Sequence, residues 1–223
     1  SYKKLRTYEE NKSAIYYFNL STEFYNMDAY ASLGDLYWYG IGCEIDQEKA
    51  FKYYMKSVRK ISKYEKKHIL HRSSLYGNFR MGIIYKENTK FTNYLSDEER
   101  KKKAFQFFAS SLYQCKCHSE KCDKSCIKFD DYYIPSTLEL AFCYLNGYGI
   151  DKDLFKFYKY LRFALAKKYI PAIIYLGNLY YYGCEYFPQN TEKAIELYIS
   201  ASKFNNNSVS FSKIIKAIED TPG

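Results

Sequence analysis

Leu33-Gly34-Asp35-Leu36-Tyr37-Trp38-Tyr39-Gly40-Ile41-Gly42 is the stretch that decides the fold, because the chain repeats it. It returns as Leu140-Ala141-Phe142-Cys143-Tyr144-Leu145-Asn146-Gly147-Tyr148-Gly149, and again as Leu176-Gly177-Asn178-Leu179-Tyr180-Tyr181-Tyr182-Gly183. A helical unit repeated along a chain predicts a solenoid, in which each unit buries its apolar face against its neighbours and the extended surface holds partners. The expected class is all-α: a right-handed superhelical solenoid of antiparallel helix pairs.

Ala29, Leu33, Leu36 and Tyr37 share one face of a first helix at three- and four-residue spacing. Gly34 lies beside that face, where a helical glycine is tolerable if another helix must come close. Gly40 and Gly42 end the helix and shape the turn. Asp46 then caps a second helix that turns Ala50, Tyr53, Tyr54, Ser57 and Val58 inward. The third repeat follows the same frame, with Tyr144, Gly147, Gly149 and Asp153 leading into Phe157, Tyr160, Leu161, Ala164 and Leu165. The fourth uses Leu176, Gly177, Leu179, Tyr180 and Gly183, a loop marked by Pro188, then Ala194, Leu197, Tyr198 and Ala201.

The second repeat is more altered. Phe79, Gly82, Ile83 and Tyr85 read as its first helix, and Ala104, Phe107, Phe108, Ser111 and Leu112 as its second. Residues 86–100 between them are expected to form an exposed loop. Tyr144 to Tyr180 is 36 residues, as is Ala14 to Ala50, whereas Tyr37 to Tyr85 is 48 and Tyr85 to Tyr144 is 59. The organisation expected is an orphan second helix in 1–24 (Ala14, Tyr17, Phe18, Ser21), repeats at 25–66, 72–114, 132–168 and 169–204, and a Cys-rich linker at 115–131. A capping or next-repeat helix follows at 208–220, carrying Phe211, Ile214, Ile215 and Ile218. The orphan helix predicts further sequence upstream of Ser1.

Composition narrows the function classes. Of 223 residues 47% are hydrophobic, which argues against wholesale disorder, and 28 are Tyr, a residue suited to thin two-layer repeats because it packs a ring while its hydroxyl stays wet. The formal charge of +9 comes mostly from Lys. A basic chain can meet nucleic acid, anionic lipid or an acidic protein, but Arg is the better reader of phosphate and base edges, so the Lys bias argues against nucleic acid. No apolar run is long enough to span a membrane, which leaves a membrane-anchored parent chain or partner as the route to a bilayer.

Leu33-Gly34-x-Leu36-Tyr37-x-x-Gly40-x-Gly42 followed by Lys49-Ala50-x-x-Tyr53-Tyr54 resembles the Sel1-like repeat, a longer-looped relative of the tetratricopeptide repeat. Leu176-Gly177-x-Leu179-Tyr180-x-x-Gly183 with Lys193-Ala194-x-x-Leu197-Tyr198 resembles it almost as well, and Leu140-Ala141 keeps the large–small pair. The second repeat departs, keeping Met81-Gly82 and Tyr85 but not the glycine pair. The resemblance covers about 25 to 205. It implies a protein–protein adaptor within a multi-subunit complex, with no small-molecule substrate. Family members bridge proteins in signalling, in cell-wall regulation and at host–microbe contacts. One serves in the endoplasmic-reticulum lumen, where repeats receive misfolded proteins for a membrane ubiquitin ligase. The resemblance thus implies either that lumen or the cytoplasm. Asn11, Asn19 and Asn206 open glycosylation sequons, which an Asn-rich chain also produces by chance.

In related solenoids the first helices line the concave wall. The variable wall positions, and so the expected partner-binding residues, are Asp35 and Trp38, Phe142 and Leu145, and Asn178 and Tyr181. Trp38 is either a hot spot or packing against the next repeat. Cys115, Cys117, Cys122 and Cys126, with His118 among them, suit a structural zinc, a disulfide pair, free thiols or a redox sensor, and spacing alone leaves all four open. No cofactor other than that zinc is expected. Cys143 reads as a small packing residue. His68 and His71 lie among lysines, as a solvated helix extension or an acidic-partner surface would have them. Asp130 and Asp131 read as caps of the helix that follows. The Gly-x-Gly pairs follow helices rather than strands and cradle no nucleotide, so no enzyme is expected.

Overall fold

A computed structural model describes residues 2–59, 73–112 and 130–204, and the described residues form helices joined by turns, with one isolated β-bridge between Cys184 and Phe187. The helices are α1 (Tyr2–Glu23), α2 (Met27–Tyr39), α3 (Gln47–Ser57), α4 (Leu75–Lys86), α5 (Asp97–Leu112), α6 (Asp130–Asn146), α7 (Leu154–Ala166), α8 (Ile170–Tyr182) and α9 (Thr191–Phe204). The all-α class is as the repeats predict, and α2–α3, α4–α5 and α8–α9 form the expected pairs. The chain divides into two compact parts, Ser1–Asp153 and Leu154–Gly223. The cysteines at 115, 117, 122 and 126, all three histidines, Asn206 and the 208–220 helix lie outside the described residues.

In the first part, α2 pairs with α3 and α4 with α5, while α1 and α6 pack on α2 and on α4 and α5. The pairing rests on one close approach. A Cβ added at Gly34 would lie 2.6 Å from Tyr54 Cδ1, so the α3 ring lies directly on the α2 backbone. The same contact recurs between Gly82 and Phe108, at 2.5 Å from Cδ1, and in the second part between Gly177 and Tyr198, at 2.9 Å. All three rings are buried. The helical glycine costs about 1 kcal/mol in backbone propensity and admits the burial of a whole aromatic side chain.

The two turn glycines have separate roles. Gly40 ends α2 in the left-handed region (φ 67°), and its N–H bonds Leu36. Gly42 (φ 72°) brings the turn against the preceding helix: a Cβ there would sit 2.6 Å from the backbone of Asn11 in α1. Gly149 makes the same approach to Lys101 and Lys102 of α5. Asp46 then caps α3, its side chain accepting from Lys49 N at 2.8 Å. In the second part Asn190 caps α9 in the same way at 2.9 Å. The turn closes when its last N–H returns to the repeat tyrosine: Asp46 N to Tyr37 O at 2.9 Å, Asp153 N to Tyr144 O at 3.0 Å and Asn190 N to Tyr180 O at 2.8 Å.

Three expectations need correction. Tyr17, expected inward, is 66% exposed, because α1 turns Asn11, Ala14, Ile15 and Phe18 toward its neighbours instead. In α4 the buried residue is Ile84 rather than Ile83. The stretch 86–100 is an exposed loop only in part. Thr92 is fully buried, Phe91 stacks on Phe51 with ring centroids 4.7 Å apart, and α5 begins at Asp97. That start was readable: Ser96 and Glu99 form a capping box, Glu99 N donating to Ser96 Oγ at 3.3 Å and Ser96 N to Glu99 Oε2 at 3.1 Å.

Candidate functional site

In the first compact part the first helices α2, α4 and α6 stand side by side in chain order. Polar side chains tie them to one another. Ser74 Oγ, at the N-cap of α4, donates to Asp28 of α2 at 2.5 Å. Asp35 accepts from Tyr54 Oη at 2.6 Å and from Tyr76 Oη, and pairs with Arg80 Nε at 3.1 Å. Lys86 pairs with Glu139 of α6 at 2.7 Å and lies 4.3 Å from the Phe142 ring centroid. Tyr39 stands 54% exposed at the end of α2, with the Arg80 guanidinium 5.3 Å from its ring centre. The result is a wall whose charges pair internally and whose aromatic residues are held in place.

The register explains Asp35 and Asn178. Each follows the glycine on which a tyrosine ring rests, and each accepts that ring's hydroxyl: Tyr54 on Asp35, Tyr198 on Asn178 at 2.9 Å. In the second repeat the ring is Phe108, which has no hydroxyl, and the residue after Gly82 is the apolar Ile83. Asp35 and Asn178 therefore vary with the ring they serve. Burial first, and then Asp35, push the Tyr54 and Tyr76 hydroxyls above the usual phenol range, so both stay protonated donors. Burial pushes Tyr198 up to about 12.

Leu145, expected at the partner surface, is 7% exposed and packs in the core, since it falls on the buried side of α6 with Ala141. Trp38 is half-buried between Tyr54 and Phe91, each 6.1 Å away by ring centroid. Phe142 is half-buried beneath Lys86, and Tyr148 lies 5.7 Å from it. In the second part Tyr181 packs on the Ala194–Tyr198 cluster and edge-on to Tyr182, 4.8 Å away.

Arg80, Tyr39, Lys86 and Glu139 were missed. A signal existed for Arg80: it sits four residues after Tyr76 and three before Ile83, on the face of α4 that borders α2. Arg100 was also missed. It is 8% exposed, and its guanidinium bonds Tyr85 O at 2.8 Å, Lys86 O at 2.9 Å and Tyr148 Oη at 3.2 Å, with Asp97 as its counter-ion.

Burial pushes the Cys143 thiol up to about 12, assisted by Glu139, so it stays a protonated packing group. Burial also raises Cys43, whose Sγ donates to Leu36 O at 3.5 Å. Among the described residues no group of three or more His, Cys, Asp or Glu converges as metal ligands would, and no helix is long and apolar enough to cross a membrane.

Three stretches of the chain, residues 28–60, 134–168 and 170–203, match the Sel1 repeat. Solved structures agree on the fold. A protective antigen of uropathogenic Escherichia coli with an SLR fold aligns at TM-score 0.59 and 21% identity, over 94% of this chain and 37% of the antigen. A Sel1 repeat protein from Oxalobacter formigenes aligns at TM-score 0.57 and 18% identity, over 92% of this chain and 71% of its own. This chain thus spans little more than a third of the antigen's length. No curated protein matches it.

Proposed function

We propose, from the premise that this chain is built on Sel1 repeats, that it is a non-enzymatic adaptor binding protein partners on its wall of first helices. Sel1 repeat proteins generally mediate protein–protein interaction. The observation that carries the reading is the cross-tied wall: Asp28–Ser74, Asp35–Tyr76–Arg80 and Lys86–Glu139 fix the faces of α2, α4 and α6 before any partner arrives. Surfaces fixed in advance lose little side-chain entropy on binding. Tyr39 and Phe142 are the aromatic contacts of this surface, and Trp38 supports it from behind. The adaptor works inside a multi-subunit complex and needs no cofactor.

Affinity capture from native extract, followed by reconstitution with the purified partner, tests the reading. Saturable binding at fixed stoichiometry supports an adaptor. A chain insoluble without its neighbours, and with no separable partner, points instead to a structural brace. Retention of RNA on filters at low salt, falling steeply as salt rises, would replace both readings. A narrower form places the adaptor in endoplasmic-reticulum-associated degradation. Intact mass before and after reduction and deglycosylation tests that setting, which calls for disulfides among the clustered cysteines or glycan on the sequons.

A further inference from the structure

We propose that Arg80 is the carboxylate-binding residue of the wall, taking an acidic group of a partner peptide on its two terminal nitrogens. The proposal rests on the adaptor reading and gives it a chemistry.

Arg80 is held by one edge only. Its Nε lies 3.1 Å from Asp35 Oδ1 and 3.2 Å from Tyr54 Oη, and the guanidinium plane sits 5.3 Å from the Tyr39 ring centre and 5.4 Å from that of Tyr54. The side chain is 11% exposed. Its two terminal nitrogens have no hydrogen-bond partner among the described residues, and neither is a fully buried donor, so both keep contact with solvent. Arg100 shows what a bracing arginine does in this protein. Its terminal nitrogens are taken up by Tyr85 O, Lys86 O, Tyr148 and Asp97. Arg80 offers a planar fork, fixed in rotamer, half-ringed by tyrosine and unclaimed at its outer edge.

That geometry selects its ligand. Two parallel N–H groups fit the two oxygens of a carboxylate, and a fork already immobilised loses less entropy on binding than a free arginine. Asp35 does not cancel the site. Its oxygens accept from the Tyr54 and Tyr76 hydroxyls and its charge pairs with the Nε edge of Arg80, away from the terminal nitrogens. Exposed Tyr39 supplies a ring for the residue beside the acid. A neutral peptide carbonyl could take one of the N–H groups but not both in parallel, and the test separates the two ligands.

The test measures fluorescence anisotropy of the full chain with short degenerate peptide pools. Two pools differ by Glu or Gln at one fixed central position. Two more lack the acid there and end in a free carboxylate or an amide, which distinguishes side-chain from terminal acids. The wild-type chain is expected to favour one acidic pool over its amide twin by about tenfold or more, the scale of a charge-assisted pair. Arg80→Lys keeps a cation beside Asp35 but removes the fork, and the preference should fall to less than about threefold with the melting temperature held. Arg80→Met should abolish it; if that variant does not fold, the wild-type pools and Arg80→Lys still decide. Equal binding of acid and amide pools overturns the proposal, as does a preference unchanged in Arg80→Lys. In either case a partner captured from extract and still bound leaves the adaptor reading standing.

Discussion

The first and second repeats solve one problem by different means. Both must return the chain from the end of a first helix, and both must satisfy the carbonyl of the repeat tyrosine, Tyr37 or Tyr85. In the first repeat the backbone does it. Gly40 and Gly42 adopt positive φ, the turn is short, and the N–H of Asp46 reaches Tyr37 O at 2.9 Å. In the second repeat both glycines are gone. Asn88 (φ 50°) takes a left-handed position, ten residues replace the turn, and α5 begins about one turn earlier. The residue in register with Asp46, counted back from Ala50 and Ala104, is Arg100. Its N–H is engaged by Ser96 O, so its side chain reaches Tyr85 O at 2.8 Å in place of the missing backbone bond. An arginine stands in for a glycine turn.

The largest effect expected from breaking this substitution is at Arg100. Arg100→Met leaves the Tyr85 and Lys86 carbonyls without that partner in a buried place and should cost about 3 kcal/mol in urea unfolding. Arg100→Lys should recover less than half, since a single ammonium cannot span the same acceptors. Gly42→Ala comes next, at about 2 kcal/mol, because it strains a left-handed residue and drives a methyl into the Asn11 backbone. Asn88→Gly, at the left-handed site of the second repeat that lies in register with Gly40, should stay within about 0.5 kcal/mol of wild type or stabilise slightly. Similar costs at Gly42 and Asn88 would erase the contrast between the two turns.

A smaller effect sharpens what the repeats share. Gly34→Ala should cost about 1–2 kcal/mol, as the methyl meets the Tyr54 ring and offsets the gain in helix propensity. The third repeat carries Ala141 at the glycine register and Leu161 at the ring register, a larger residue matched with a smaller one. Tyr54→Leu should therefore cost less in the Gly34→Ala background than alone, by about 1 kcal/mol of coupling in a double-mutant cycle. Additive costs would show that the glycine and the ring are not one contact.

The parts legible in sequence are those where one residue type has one physical use. Gly34, Gly40, Gly42 and Asp46 each answer a local demand of space, φ or cap, so their spacing disclosed helix pairs and turns. The stretch 86–100 was read only in part, because what anchors it comes from distant side chains: Phe91 on Phe51, and Arg100 on Tyr85 and Tyr148. Asp35 and Asn178 looked variable, and hence free for a partner. Their variation follows the hydroxyl of a ring on another helix, a pairing visible only once Tyr54 and Tyr198 are set beside Phe108 in register. Leu145 failed for a simpler reason: counting one residue past the repeat tyrosine lands inside the core of α6.

The central claim is that partners meet the wall of α2, α4 and α6 rather than the outer faces of the second helices. The direct measurement is the dissociation constant of the captured partner for two double variants matched in melting temperature. One is Tyr39→Ser with Phe142→Ser on the wall; the other is Lys52→Glu with Met55→Ser on the outer face of α3. The account predicts at least about a tenfold loss for the wall variant, the size of a modest hot spot, and less than about twofold for the outer one. A wall variant that binds like wild type, beside an outer variant that does not, would contradict it.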